Sequence, residues 1–171
     1  AMEAGYHPTS DPADLAGFDV AVISVPTPLR EGLPDLGYIE AAGRDLARHL
    51  RPGACVVLES TTYPGTTTEM LLPLLVDGSG LAADEFFLGY SPERIDPGNA
   101  SFGLVNTPKV VSGSSPDCLA VVDAFFSTLV DTTVPVGSCA EAELVKLLEN
   151  TFRHVNIALV NELAMIFNRL G

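Results

Sequence analysis

The sequence predicts an α/β fold, in which a partial Rossmann-like, doubly wound parallel sheet is followed by one long α-helix. Short apolar runs rich in β-branched residues alternate along the chain with segments of helical periodicity. The first two runs are almost continuously apolar, which is typical of strands covered on both faces of a parallel sheet. Near residue 138 the alternation gives way to an uninterrupted helical signal. Repeats of strand, helix and strand indicate a doubly wound domain.

Five short runs are predicted to be the strands of one parallel sheet. They are rich in β-branched or aromatic residues and are separated by helical or turn-forming segments. The predicted strands are residues 19–25, 55–60, 86–91, 109–113 and 132–136.

A first helix is predicted between the first two strands. Asp35 can cap its start, and Pro52 with Gly53 stops it. Apolar or small residues at helical spacing support this prediction: Leu36, Ile39, Ala42, Gly43, Leu46 and Leu50.

Two further helices are predicted before residue 138. The rougher one covers residues 66–76, and Pro73 is expected to kink it or to end it early. Ser115 and Pro116 place a cap and a first-turn proline before a helix over residues 117–130.

The last helix is predicted to be unusually long. Ser138 and Glu141 have the spacing of a capping box, and neither glycine nor proline interrupts the helical signal before Leu170. At the usual rise per residue this helix is about 50 Å long, too long for the edge of a small sheet. We therefore expect residues 1–137 to form the later part of one domain and residues 138–171 to lead into another.

Apolar residues along this helix exceed what the preceding domain can cover. We expect them to pack on a second domain or a second subunit, as in a homodimer or a larger homo-oligomer. The residues concerned are Leu144, Leu147, Leu148, Phe152, Val155, Leu159, Leu163 and Ile166.

Composition disfavours several classes of partner. The 171 residues carry a formal net charge of -13, and the sequence pI is near 4.3, so binding to nucleic acid or to an anionic membrane is not expected. No apolar run is long enough to cross a bilayer, and the first residues do not resemble a signal peptide. The sequence therefore predicts a soluble, cytoplasmic protein.

The three cysteines are not arranged as a metal or redox site. Cys55, Cys118 and Cys139 are far apart in sequence and lack the C-x-x-C spacing. We expect free, buried thiols, with Cys139 the most accessible of the three.

Polar segments follow the first three predicted strands. They are V-P-T-P-L at 25–29, S-T-T-Y-P-G-T at 60–66 and S-P-E-R-I-D-P-G-N at 91–99. In an open parallel sheet, ligands bind beyond the carboxyl ends of the strands. Each segment also has a simpler interpretation, as a stiff strand exit, a helix cap or a turn with a surface ion pair. Their shared position at one edge favours a binding site.

Three polar residues of the last helix lie on one stripe. Lys146, Asn150 and Arg153 are spaced so that their side chains point within roughly 40° of one direction. A solvated helix face is the simpler interpretation of this triplet. An ammonium, an amide and a guanidinium directed at one point also suit an oxygen that gains negative charge during a reaction.

Several motifs, in this order along the chain, resemble the UDP-glucose/GDP-mannose dehydrogenase family. The similarity extends from about residue 10 to the end, and it is greatest to the branch that oxidises UDP-N-acetylhexosamines. The motifs are V-P-T-P, E-S-T-T-Y-P-G-T-T, Y-S-P-E-R-I-D-P-G-N, K-V-V-S-G and A-E-L-V-K-L-L-E-N-T-F-R-H-V-N-I-A-L-V-N-E-L-A.

The resemblance implies an NAD-dependent enzyme. Members of the family oxidise the C6 alcohol of a nucleotide sugar to a carboxylate in two hydride transfers, through a covalent intermediate on a cysteine. By the same resemblance, Thr27 and Thr61 contact NAD, and Val25 and Pro26 line its pocket. Thr61 also helps to position the water used in hydrolysis.

The resemblance also assigns residues around the UDP-sugar. Glu93 matches the acid-base carboxylate, and Arg94 and Ile95 match positions that hold the sugar nucleotide. Lys146 and Asn150 match the pair that stabilises the C6 oxyanion.

The implied roles suit these residue types. A fixed ammonium and amide stabilise an oxyanion in a dry cleft, and a carboxylate beside a water can act as a general base. A lysine whose pKa is shifted by desolvation can also shuttle a proton. Arg153 matches a substrate contact of the acetamido-sugar branch.

Two parts of the family pattern are expected outside this chain. The G-x-G-x-x-G turn should precede residue 1, and the glycine-flanked nucleophilic cysteine should belong to a later domain. The chain is therefore expected to be a central piece of a longer enzyme, inactive by itself. Pro97 stands where the UDP-glucose branch has a second glutamate, which favours an N-acetylated sugar.

Two rival functions remain open from the sequence. One is a 3-hydroxyacid or 6-phosphogluconate-type dehydrogenase, which also combines a Rossmann domain with a Lys-x-x-x-Asn helix. The other is a non-catalytic dimerisation module. The S-P-E-R segment argues against the first, and the joint presence of Thr61, Glu93, Lys146 and Asn150 argues against the second.

Overall fold

A computed structural model describes residues 5–95, 98 and 101–171, and its main feature is a five-stranded sheet. The five sheet strands are β1 (Val20–Ile23), β4 (Cys55–Leu58), β5 (Phe87–Tyr90), β6 (Lys109–Gly113) and β7 (Thr133–Pro135). They lie side by side in the order β1-β4-β5-β6-β7. A short antiparallel hairpin, β2 (Leu29–Arg30) and β3 (Leu33–Pro34), follows β1 along the chain.

The predicted α/β fold is confirmed, but the prediction of a wholly parallel sheet is wrong at one pair. β1, β4 and β5 are parallel to each other, and β6 is parallel to β7. β5 and β6 are antiparallel, with Gly89 opposite Gly113. The described residues between these two strands form no helix, so the chain re-enters the sheet at the edge where β5 ends.

Side chains of the central strand β4 alternate between two cores, as a pleated strand requires. Val56 and Leu58 belong to one core, which also contains residues of the helices α1 (Gly37–Ala47), α2 (Leu72–Ser79) and α4 (Cys139–Leu170). Cys55 and Val57 belong to the other core, together with Val122 and Phe126 of α3 (Pro116–Ser127). Helices therefore cover both faces of the sheet.

The first predicted helix is confirmed as α1, which ends at Ala47. Asp35 lies one residue before the N-cap position, and its Oδ1 accepts a hydrogen bond from the Gly37 amide at 2.9 Å. The predicted stripe faces the core: Ile39, Gly43 and Leu46 are buried.

The second predicted helix is longer than expected. Residues Thr66–Leu71 form one π-helical stretch that leads directly into α2. Pro73 is expected to kink this helix or to end it early, but the helix continues to Ser79, and Pro73 lies where the π-helical stretch changes to α2.

The caps of the two later helices follow the predicted pattern. Ser115 Oγ accepts a hydrogen bond from the Cys118 amide at 3.2 Å, and Ser138 Oγ accepts one from the Glu141 amide at 3.1 Å. The carboxylate of Glu141 accepts in turn from the Gly137 amide at 2.7 Å.

Only the first turns of the 32-residue helix α4 pack deeply on the sheet. Cys139, Ala142 and Glu143 are buried, whereas every residue from 151 onward is exposed. The prediction that Cys139 is the most accessible thiol is therefore wrong, because Cys139 packs under the helix start, and burial raises its pKa to about 11. All three cysteines are free and buried.

Within the described part of the chain, no helix combines the length and the apolar composition needed to span a bilayer.

Candidate functional site

The carboxyl ends of β1, β4 and β5 lie at one edge of the sheet, because these three strands are parallel. Val25, Pro26 and Thr27 follow β1 at this edge, and Thr61 follows β4. Val25, Thr27 and Thr61 are half-buried, whereas Pro26 is exposed. The four residues predicted to contact NAD thus lie where an open sheet binds ligands.

Ser60 fixes the ends of β1 and β4 to each other. Its Oγ accepts a hydrogen bond from the Val25 amide at 2.8 Å and donates to the Val25 carbonyl oxygen at 2.8 Å. The serine is buried. The segment that carries Thr61 is therefore held firmly at its start.

Helix α4 crosses this edge and brings Lys146 to the end of β5. The Lys146 ammonium donates a hydrogen bond to the backbone carbonyl oxygen of Glu93. Burial lowers the pKa of Lys146, the nearby carboxylates of Glu149 and Glu93 oppose this shift, and the cations Arg153 and Arg94 add to it. The sequence alone could not show this contact between residues 53 positions apart.

The carboxylate of Glu93 is held within its own loop. It is half-buried, and its Oε1 accepts a hydrogen bond from the Ile95 amide at 2.5 Å. Lys146 and Glu93 therefore meet through the Glu93 backbone, while the carboxylate is turned to the next residues of the chain. Asn150 lies one turn after Lys146 on α4 and is also half-buried.

Arg94 ties the loop after β5 to α4. Its Nε and Nη2 donate to Oε1 of Glu149 at 2.9 and 2.6 Å, and its Nη1 donates to the Pro108 carbonyl oxygen at 2.6 Å. A surface pocket of about 460 Å³ adjoins this pair, and its lining residues are Arg94, Glu149, Phe152, Arg153, Asn156 and Ile157. The two predicted substrate-binding arginines therefore share one pocket.

The prediction that Pro97 favours an N-acetylated sugar concerns a residue outside those that the structure describes.

Glu59 and Lys109 form a buried ion pair at the same edge, which the sequence analysis did not identify. The Lys109 ammonium donates to Oε1 of Glu59 at 2.5 Å and to the Pro92 carbonyl oxygen at 3.2 Å, and it lies 4.9 Å from the centroid of the Phe126 ring. The side chains of Lys109 and Glu59 are only 6% and 17% exposed. The sequence feature that could have indicated this ion pair is a lysine at the start of an apolar strand.

Glu143 is a second functional candidate that the sequence analysis missed. Its side chain is fully buried, and it accepts hydrogen bonds from the Gly65 amide, the Thr67 amide and the Thr67 hydroxyl. Burial raises its pKa, and the hydrogen bonds from Thr67 and Gly65 oppose that shift. The sequence feature that could have indicated Glu143 is its position on the same helix face as Lys146, Asn150 and Arg153.

Comparisons with known proteins decide the family. Residues 3–130 match the sequence model of the NAD binding domain of the UDP-glucose/GDP-mannose dehydrogenase family, and residues 140–171 match that of its central domain. The chain belongs to the UDP-glucose/GDP-mannose dehydrogenase family. The family predicted from the motifs is thereby confirmed.

Relatives within the UDP-glucose/GDP-mannose dehydrogenase family include enzymes of the acetamido-sugar branch. The UDP-N-acetyl-D-glucosamine 6-dehydrogenase of Pseudomonas aeruginosa is 44% identical over 161 residues, which are 92% of this chain and 38% of that protein. The UDP-D-ManNAc dehydrogenase of Pyrococcus horikoshii has a solved structure that is 39% identical, with a TM-score of 0.86, over 92% of this chain and 38% of that one. The chain thus spans about 38% of the length of these relatives.

A more distant solved structure shows that the same fold extends to another branch of the family. A ternary complex of GDP-mannose dehydrogenase from Pseudomonas aeruginosa is 27% identical, with a TM-score of 0.77, over 90% of this chain and 37% of that one.

The residues present fit one side of the NAD site that the family requires. Val25 and Pro26 offer an apolar wall, and Thr27 and Thr61 offer hydroxyl groups at neighbouring strand ends. Within the described residues, no cluster of three or more histidine, cysteine or acidic side chains is arranged to hold a metal ion.

Proposed function

We propose that the whole protein is an NAD-dependent nucleotide-sugar 6-dehydrogenase that oxidises the C6 alcohol of a UDP-N-acetylhexosamine to a uronate. The observation that carries the proposal is the position of Lys146, whose ammonium reaches the loop of Glu93 at the ligand-binding edge of the sheet. Family membership and the names of the relatives, at 44% and 39% identity, support the choice of reaction and sugar.

Lys146 and Asn150 stabilise the oxygen on C6 in the proposed reaction. Both project from one stripe of α4, and both are half-buried, so their charge and dipole act in a medium of reduced polarity. Oxidation of an alcohol to a carboxylate removes two hydrides and requires one water. NAD, when bound, supplies the hydride acceptor.

Glu93 is the proposed general base for the water that hydrolyses the covalent intermediate and so releases the sugar acid. Thr61 is proposed to position this water and to contact NAD. A carboxylate is suited to this task when a water lies within hydrogen-bond reach. The Glu93 carboxylate is anchored through Oε1 by the Ile95 amide, which fixes its place in the loop. Val25, Pro26 and Thr27 complete the proposed cofactor contacts.

Arg94, Ile95 and Arg153 are proposed to hold the UDP-sugar. The guanidinium groups of Arg94 and Arg153 adjoin one pocket, and a guanidinium matches the geometry of phosphate oxygens. Glu149 orients Arg94 through two hydrogen bonds to one oxygen atom.

We also propose that residues 1–137 form the later part of the NAD-binding domain and that residues 138–171 form the long helix leading into a central dimerisation domain. The apolar residues that α4 exposes support association through this helix into a homodimer or a larger homo-oligomer. Three free thiols support a reducing, cytoplasmic location.

Replacement of Lys146 tests the proposed function. In the whole protein, Lys146→Ala is expected to abolish formation of NADH from UDP-N-acetylhexosamines, because the developing oxyanion loses its cation. The matched control is Arg169→Ala, which removes an exposed cation from the last turn of the same helix and should leave turnover unchanged.

Two results would contradict the proposal. One is retained turnover in Lys146→Ala. The other is a yield of one NADH per sugar from the unsubstituted protein, since oxidation of an alcohol to an acid yields two and a 3-hydroxyacid-type dehydrogenase yields one.

A further inference from the structure

A fully buried carboxylate, that of Glu143, lies between α4 and the segment that follows β4. Gly65 donates its amide to Oε2 at 2.7 Å. Thr67 donates its amide to Oε1 at 2.9 Å and its hydroxyl to the same oxygen at 2.6 Å. Both carboxylate oxygens are therefore engaged by a segment that lies more than 70 residues earlier in the sequence.

The donors come from the start of the π-helical stretch Thr66–Leu71. The first amides of a helix have no acceptor within that helix, and a negative charge near them is stabilising. Gly65, the residue before the stretch, has no side chain and a φ of 100°. Glu143 supplies from α4 the acceptor that a local cap would otherwise provide.

The same carboxylate fixes one end of the loop that carries Thr61. At the other end, Ser60 is bound to the backbone of Val25. Between Ser60 and Gly65 lie Thr61 and three further residues. The position of Thr61 relative to α4 therefore depends on the contact of Glu143 with Gly65.

Glu143 also lies on the stripe of α4 that carries the proposed oxyanion residues. It precedes Lys146 by three residues and Asn150 by seven, and these offsets place all three residues on one face of a helix. A shift or rotation of α4 about this contact would move Lys146 and Asn150 together.

We propose that Glu143 is a positioning residue that sets the placement of Lys146 and Asn150 relative to Thr61. It joins the helix of the oxyanion residues to the loop of the cofactor residue, and its fully buried carboxylate is bound by Gly65 and Thr67. This inference rests on the proposed function of the whole protein.

A carboxylate is suited to this role because it can accept all three hydrogen bonds at once. An ionised carboxylate only accepts, whereas an amide of the same shape has a single acceptor oxygen and presents its NH₂ group to one of the donors. None of the three donors is a cation. The burial of the charge is thus compensated by directed donors, which fix distances more closely than apolar packing does.

The first test is Glu143→Gln in the whole protein. We expect kcat with a UDP-N-acetylhexosamine to fall about 10- to 100-fold, the range for a misplaced catalytic group. KM for NAD should change by a smaller factor than kcat, because Thr61 is only one of four proposed cofactor contacts. The matched control is Glu162→Gln, which replaces an exposed glutamate on the same helix and should leave both constants unchanged.

Thr67 provides a second, independent variant pair. Thr67→Val keeps the shape but removes the hydroxyl that donates to Glu143, and kcat should fall. Thr67→Ser keeps the hydroxyl, and kcat should recover to near the unsubstituted value. If Thr67→Ser and Thr67→Val lower kcat equally, or if Glu143→Gln lowers only the melting temperature, the residue is merely structural and the inference is wrong.

Hydrogen exchange separates failure of this inference from failure of the proposed function. In Glu143→Gln, amides of residues 61–67 should exchange at least about tenfold faster, whereas those of β4 should be unchanged. If the unsubstituted protein oxidises no UDP-sugar, the proposed function is wrong. The hydrogen-exchange rates of residues 61–67 then still test whether Glu143 holds this segment. Unchanged exchange in residues 61–67 would overturn the inference in either case.

Discussion

Glu59 and Lys109 show, at the scale of single residues, how the ligand-binding edge is held together. Lys109 starts β6, Glu59 follows β4, and the Lys109 ammonium also binds the Pro92 carbonyl oxygen at the end of β5. One buried cation thus joins three strands. A buried ion pair contributes little net stability, but removing one partner leaves an uncompensated charge.

Lys109→Met is expected to lower the free energy of unfolding by about 3 kcal/mol, because it leaves the Glu59 carboxylate largely buried without its cation. Methionine keeps most of the length of the lysine side chain and removes only its charge and hydrogen-bond donors. Urea unfolding measures the change. The control is Arg44→Met, whose ion pair with Glu40 is exposed and should contribute no more than about 1 kcal/mol.

An equal decrease in the free energy of unfolding in Lys109→Met and Arg44→Met would contradict the prediction, because the buried ion pair would then be no more important than the surface one. The double variant Glu59→Gln with Lys109→Met should be more stable than Lys109→Met alone, because the orphaned charge is then gone.

Sequence periodicity could locate individual site residues only where they lie on one element. Lys146 and Asn150 share a helix, so their common direction follows from helix geometry alone. The partners of Glu143 are separated from it by more than 70 residues, and no local pattern encodes such a contact. The roles assigned to these residues stay predictions until the variants are measured.

A close approach of backbone to backbone helps to position α3 on the sheet. A Cβ added to Gly113 at the end of β6 would lie 2.1 Å from the Leu119 amide nitrogen, which belongs to the backbone of α3. Backbone cannot move aside as a flexible side chain can. Only glycine permits α3 to begin so close to the strand.

Gly113→Ala is therefore expected to destabilise the protein by about 3 kcal/mol, because α3 must shift away from β6. The control is Gly103→Ala, where an added Cβ meets no atom within 4 Å, and the change should stay within about 0.5 kcal/mol. Thermal unfolding compares the two variants. Similar melting temperatures for both would contradict this account of α3 packing.

The positions of helices and strands along the chain were more predictable than the relative direction and packing of these elements. Local signals correctly placed the caps at Ser115 and Ser138, since a serine side chain bonds within its own helix turn. The antiparallel pairing of β5 and β6 was not predictable, because strand direction depends on the path of the connection. The π-helical stretch before Pro73 was also missed, and the acceptor for amides at its start is Glu143, more than 70 residues later in the sequence.

At the scale of the whole molecule, α4 presents a broad apolar face that this chain does not cover. The exposed fractions of Phe152, Leu159 and Leu163 are 70%, 55% and 39%. With Val155 and Ile166 they recur at helical spacing on one side, while Asn161 lies on the opposite side. An apolar stripe of this width is suited to burial against a second copy of the helix.

Leu159→Glu is expected to weaken self-association of the whole protein, because it places a charge in the middle of the proposed apolar contact. Asn161→Glu adds the same charge on the opposite side of the same helix turn and should leave association unchanged. Sedimentation velocity measures the effect: the first variant should shift toward the monomer, whereas the second should sediment as the unsubstituted protein does. An unaltered mass in both variants would indicate that other residues of the whole protein cover this face. Dissociation in both would show that added charge, rather than the apolar stripe, governs assembly.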